Sequence, residues 1–91
     1  MPDLTSSHFD MNIQFERIKS ASHRHLNVLL PFYAETFPLE ERRDTSTLLR
    51  MMNEPDMFFS AILIDELVVG LVVYWKFGKF IYIEHLAVFF K

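Results

Sequence analysis

Ninety-one residues, 51% of them hydrophobic and 15% aromatic, make one domain and exclude a disordered or linker-like chain. The absence of Cys excludes a disulfide framework, a thiolate metal site and a Cys nucleophile. A net charge of −3 argues against a nucleic-acid module, which carries a basic field.

Residues 1–11 are polar and lack the basic start and apolar core of a signal peptide, so they read as a flexible tail before a single domain over 12–91. Ile13 to Ile18 alternates briefly, which predicts a first strand over roughly 12–18. Ser20 and Ser22 offer N-cap oxygens to a helix whose apolar stripe is Leu26, Leu29, Leu30, Tyr33 and Phe37. Pro31 lies inside that stripe and removes a backbone donor, which predicts a kink or an early break. Pro38 ends the helix. The run Glu40-Glu41-Arg42-Arg43 is most simply a solvated connection.

Asp44 or Thr45 can cap a second, shorter helix that buries Leu48, Leu49, Met51 and Met52 and ends at Asn53-Glu54-Pro55-Asp56. Three strands follow, over Met57–Ile64, Leu67–Lys76 and Phe80–Phe90. Asp65-Glu66 marks a tight hairpin despite lacking the favoured Gly, and Phe77-Gly78-Lys79 makes the second turn. Only ten of the 35 residues from Met57 to Lys91 lie outside the hydrophobic class. In the last strand, strict alternation would aim Phe80, Tyr82, Leu86, Val88 and Phe90 one way and Ile81, Ile83, Ala87 and Phe89 the other. A sheet apolar on both faces expects cover on both, and two short helices cover only one. No apolar run approaches the roughly 20 residues of a membrane helix. The expectation is a cytoplasmic α+β domain, an antiparallel β-meander with two N-terminal helices in the order β-α-α-β-β-β.

That order resembles the first half of the GNAT (GCN5-related) N-acetyltransferase fold, the acyl-CoA N-acyltransferase architecture. Tyr33-Ala34-Glu35-Thr36-Phe37-Pro38-Leu39-Glu40-Glu41-Arg42 looks like the segment between the first two helices of bacterial members. Asp65-Glu66-Leu67-Val68-Val69-Gly70-Leu71 is similar to the hairpin in which a Gly follows the apolar start of the third strand. Tyr82-Ile83-Glu84-His85-Leu86-Ala87-Val88 resembles the fourth strand, where a Glu precedes an apolar triplet ending in Val. The family's next element is an Arg/Gln-x-x-Gly-x-Gly/Ala loop, whose N–H groups hold the pyrophosphate of acetyl-CoA at a helix N-terminus. That loop is absent from the sequence, which reads Val88-Phe89-Phe90-Lys91 at this point.

The resemblance implies acetyl transfer from acetyl-CoA to a small amine, by a domain incomplete and inactive as this chain alone. It makes Glu84 the general base, with burial expected to raise its pKa. The competing reading leaves Glu84 facing water or pairing with Lys76 or Lys79 across the hairpin. By the same resemblance the backbone of Leu86, Ala87 and Val88 contacts the acetyl and pantetheine parts, and Tyr33, Phe37 and Glu41 shape the acceptor pocket. An aromatic stripe at helical spacing is also what an ordinary core looks like. His85, next to Glu84, is expected on the opposite face of the strand and outside any dyad. His23 and His25 lack the carboxylates to complete a metal site, so no metal is expected. The alternative to an enzyme is a non-enzymatic interaction module or fragment that forms a homo-oligomer through the exposed edge of its last strand.

Overall fold

In a computed structural model, residues 12–89 are described; the tail expected over 1–11 and the strand end at Phe90 lie outside them. The elements run β1 Ile13–Arg17, α1 Leu26–Thr36, α2 Thr45–Met51, β2 Met57–Ile64, β3 Leu67–Phe77 and β4 Phe80–Val88. The four strands form one antiparallel sheet in the order β1-β2-β3-β4. This is the expected β-α-α-β-β-β arrangement.

Both helices cover one face of the sheet. Leu26, Leu29 and Tyr33 of α1, with Leu48 and Met52 at α2, close over Phe59 of β2 and Leu71 and Val73 of β3. Burying each large apolar side chain is worth about 1.5–3 kcal/mol. Three such residues on α1 outweigh the roughly 3 kcal/mol that an internal proline costs a helix. Accordingly α1 runs through Pro31 without the early break the sequence suggested. Its start also differs from expectation. Ser20 and Ser22 bond to each other, the N-cap is His25 with no side-chain cap, and the His25 N–H donates instead to His23 Nδ1. The helix stops at Thr36 because Phe37 must be extended ahead of Pro38 (φ −104°, ψ 134°). Asp44 does cap α2, its Oδ1 accepting from Thr47 N at 2.8 Å.

The opposite face carries the rest of the apolar residues. Phe15, Ile81, Ile83, Leu86 and Val88 are all substantially exposed there, and Phe15, Val72, Tyr74, Ile81 and Ile83 line a shallow apolar groove. No described residue covers this face. No described helix is long and apolar enough to cross a membrane.

Asp65 and Glu66 both adopt positive φ (50° and 72°), the geometry of a two-residue type I′ hairpin. A non-glycine residue there is strained by about 1 kcal/mol. Glu66→Gly should therefore raise the melting temperature by about 4–8 °C. An unchanged or lower value in a circular-dichroism melt would contradict the turn assignment.

Candidate functional site

β4 does not keep strict alternation. Its pairing with β3 goes from Tyr74↔Ile83 directly to Val73↔His85, leaving Glu84 as the extra residue of a β-bulge. Before the bulge Tyr82 lies opposite Trp75, and after it His85 lies opposite Val73, so both sit on the helix-covered face. Leu86 and Val88 are thereby moved to the opposite face from Phe80 and Tyr82. This corrects the expectation that all four share a face.

The bulge presents Glu84 and His85 on the same side. Glu84 Oε2 accepts from Arg43 Nε at 2.7 Å, and Oε1 accepts from Arg43 Nη2 at 2.9 Å and Trp75 Nε1 at 3.0 Å. The partner is Arg43 of the α1–α2 connection, not Lys76 or Lys79. Burial pushes the Glu84 carboxyl upward, but the two-pronged Arg43 contact and the Trp75 N–H together outweigh it. The net result is a Glu84 pKa below the ordinary 4.5, opposite in direction to the sequence expectation.

His85 is buried, and its Nε2 lies 2.9 Å from the Glu41 carbonyl oxygen. A carbonyl only accepts, so Nε2 carries a proton. Its Nδ1 is buried without a hydrogen-bond partner, 3.6 Å from Glu84 Oε2. The expected separation of His85 from Glu84 is thus corrected by the bulge. The His85 ring packs on Phe37 (4.4 Å between centroids) and meets Tyr33 edge-on at 5.2 Å.

The connection 38–44 is a built element and not a solvated tether. Arg42 Nη1 donates to the Ala34 and Phe37 carbonyls, closing the end of α1. Arg43 N donates to the Tyr33 hydroxyl at 2.8 Å. Burial is the main reason that hydroxyl's pKa rises. With the His85 contact to Glu41 and the Asp44 cap, the segment is anchored at successive residues. Of the three expected pocket residues, Tyr33 is in the core, Phe37 is half-buried against His85, and Glu41 is exposed at the cleft. The cleft has a volume of about 590 Å3, with Glu84 and Arg43 in its lining, Trp75, Phe77 and Tyr82 on the sheet side and Glu40 and Glu41 on the loop side.

The second half of the expected site lies further along β4. Phe89 N donates to Val69 O while Val88 pairs with Gly70, so Gly70–Val88 is a non-hydrogen-bonded pair. The alternation of an antiparallel ladder then turns the Leu86 and Val88 N–H groups away from β3, and Ala87 N–H toward it. Among the described residues, β4 is an edge strand and nothing occupies that open side. Leu86 and Val88 therefore have backbone donors to offer a ligand, whereas that of Ala87 is turned into the ladder.

Arg43, Trp75 and Tyr82 were not singled out by the sequence. The available signal for Trp75 and Tyr82 was the β3–β4 hairpin register, which sets them opposite each other. No group of three or more potential metal ligands occurs among the described residues. His23 pairs with Glu16 at 2.8 Å, and Arg24 shares that carboxylate. Neither glycine belongs to a phosphate loop: Gly70 lies within β3 and Gly78 turns the β3–β4 hairpin with φ 57°.

A four-stranded antiparallel meander with two helices on one face, in the order β-α-α-β-β-β, is the arrangement of part of a GNAT acyltransferase fold. Among solved structures the chain is similar to a Bacteroides thetaiotaomicron protein assigned to the GNAT family as an acetyltransferase, with a TM-score of 0.76 and 29% sequence identity. The match covers 82% of this chain and 43% of that protein, so the chain spans less than half of its length. No protein-family model and no curated protein sequence matches it.

Proposed function

We propose that these residues form the acceptor side and the thioester-facing edge of an N-acetyltransferase that uses acetyl-CoA and a small amine. The observation that carries this reading is the β4 bulge. It sets the Glu84 carboxylate in a cleft and, two and four residues on, leaves the N–H groups of Leu86 and Val88 open. When bound, acetyl-CoA supplies the acetyl group as an activated thioester. The two open N–H groups suit its carbonyl and pantetheine amides, where developing negative charge is best met by preorganised donors. Glu84, held as a carboxylate, attracts the ammonium form of the acceptor and takes its proton, and the grip of Arg43 sets how weak a base it is. The pyrophosphate is assigned to a segment other than these 91 residues, because they contain no glycine-rich cradle. The chain alone is therefore read as inactive.

Calorimetric titration with acetyl-CoA tests this. The chain alone should bind no more tightly than about 1 mM, equivalent to roughly 4 kcal/mol. A micromolar Kd would show that these residues hold the pyrophosphate themselves and would overturn the division of the site.

The uncovered apolar face and the open β4 edge favour a second reading, a homo-oligomerising interaction module. Exposed edges of this kind pair with other chains. A native mass above that of one chain in light scattering, with no acetyl-CoA interaction at millimolar concentration, supports the module. A monodisperse monomer at high concentration sinks it.

A further inference from the structure

We infer that the cleft at Glu84 is built for an amine that carries an aromatic ring. This rests on the acetyl-transfer reading above and specifies its acceptor.

The cleft has two chemically distinct walls. On the sheet side, Trp75 and Phe77 present rings parallel to within 2° and 6.0 Å apart, and Tyr82 lies opposite Trp75 across the strand pair. Phe77 and Tyr82 are about half exposed although they sit on the helix-covered face. The helices do not reach this end of the sheet, so the aromatic wall remains open. Trp75 is also held in place, because its Nε1 donates to Glu84. On the loop side, neither the Glu40 nor the Glu41 carboxylate joins an ion pair among the described residues. The nearby cations are already committed, Arg43 to Glu84 and Arg42 to the end of α1.

The loop wall is positioned from below. His85, 7% exposed, holds the Glu41 carbonyl through Nε2, and its unpartnered Nδ1 is directed at Glu84. A ring against Trp75 and Phe77 gains stacking energy beyond that of its buried area. An ammonium near the same rings gains a similar amount, and more where Glu41 and Glu84 add their charge. An aliphatic amine lacks the first gain and an aromatic carboxylate reverses the second. The two walls together select a ring and a positive charge in one molecule.

The chain has a single Trp, so its fluorescence reports this cleft alone. Titration of the 91-residue chain with 2-phenylethylamine at neutral pH should give a saturable change in Trp75 emission. Butylamine and phenylacetate should each bind at least about tenfold more weakly, a difference of roughly 1.4 kcal/mol. Glu41→Gln keeps the main-chain carbonyl that His85 uses and is exposed, so it should fold normally yet weaken 2-phenylethylamine binding severalfold. Phe77→Leu should do the same. Phenylacetate or butylamine binding as well as 2-phenylethylamine, or unchanged binding in both variants, overturns the inference. Parallel titration with acetyl-CoA separates the two ideas. Ring-amine binding without any acetyl-CoA interaction upholds the cleft and removes the acetyl-transfer reading. Acetyl-CoA binding without selectivity among the three probes removes only the aromatic acceptor.

Discussion

Gly70→Ala should lower the melting temperature of this domain by at least about 12 °C. A Cβ at residue 70 would overlap the Ala87 carbonyl oxygen and come within 2.9 Å of Val88 Cα. Both are backbone atoms of β4, so no side-chain rotation relieves the contact. Overpacking commonly costs about 1–3 kcal/mol, and a clash that parts two strands belongs at the upper end of that range. In a domain of this size each kcal/mol moves the midpoint by about 4–8 °C. The damage should be local as well as global. Ala87 and Phe89, whose N–H groups face the ladder, should lose hydrogen-exchange protection before β1 and β2 do, because Phe89 N–H is held only by Val69 O. A melting point within about 2 °C of the parent would contradict the close Gly70–Val88 pairing.

Arg43→Met should make the Glu84 contribution to stability rise as pH falls through mild acid, where that of the parent stays flat. In the parent, Glu84 titrates below its ordinary 4.5 in the folded state. A depressed folded pKa gives stability that is present above the unfolded value and is lost as pH falls through the folded one. The parent therefore holds this contribution at neutral pH and loses it only on strong acidification. Without Arg43, burial becomes the dominant influence on a carboxyl whose side chain is 12% exposed, and Trp75 remains as its donor. The Glu84 pKa then rises above the ordinary value. In that case stability grows as pH falls from the raised folded pKa toward the unfolded one. Removing the guanidinium should cost about 1–3 kcal/mol at neutral pH, discounted because Arg43 is 37% exposed. Denaturant melts of both proteins across the mildly acidic range read the slope directly. An Arg43→Met protein whose stability, measured against the parent, does not rise as pH falls through mild acid would show that Arg43 is not what holds Glu84 ionised. The same variant should make Glu84 a stronger base.

Most of the element order was legible because it rests on local chemistry. The α1 stripe, the Asp44 cap and the Asp65-Glu66 and Gly78 turns depend on residues close together in the chain. Two local rules were overridden by tertiary packing: Pro31 did not break α1, and Ser20 and Ser22 did not cap it. The site was less legible, for one geometric reason. A single bulge residue at Glu84 inverts the alternation of everything after it, and strand periodicity contains no mark of where a bulge falls. His85 was therefore assigned to the wrong face, along with Leu86 and Val88. Arg43 was hidden differently. A polar run between helices looks solvated until a long-range partner is known, and Glu84 is 41 residues away. The pKa expectation failed for the same cause, since burial was readable from Ile83 and Leu86 but the opposing guanidinium was not.

We propose that the edge of β4 beyond Glu84 faces the acetyl donor while the cleft before it faces the amine. Amide chemical shifts of 15N-labelled chain, recorded during titration with millimolar acetyl-CoA, test it most directly. Progressive shifts are expected at the Leu86 and Val88 amides, with Ala87 and the outer positions of β1 little affected. Shifts centred elsewhere on the sheet, or none along β4 at the highest acetyl-CoA concentration, overturn this placement.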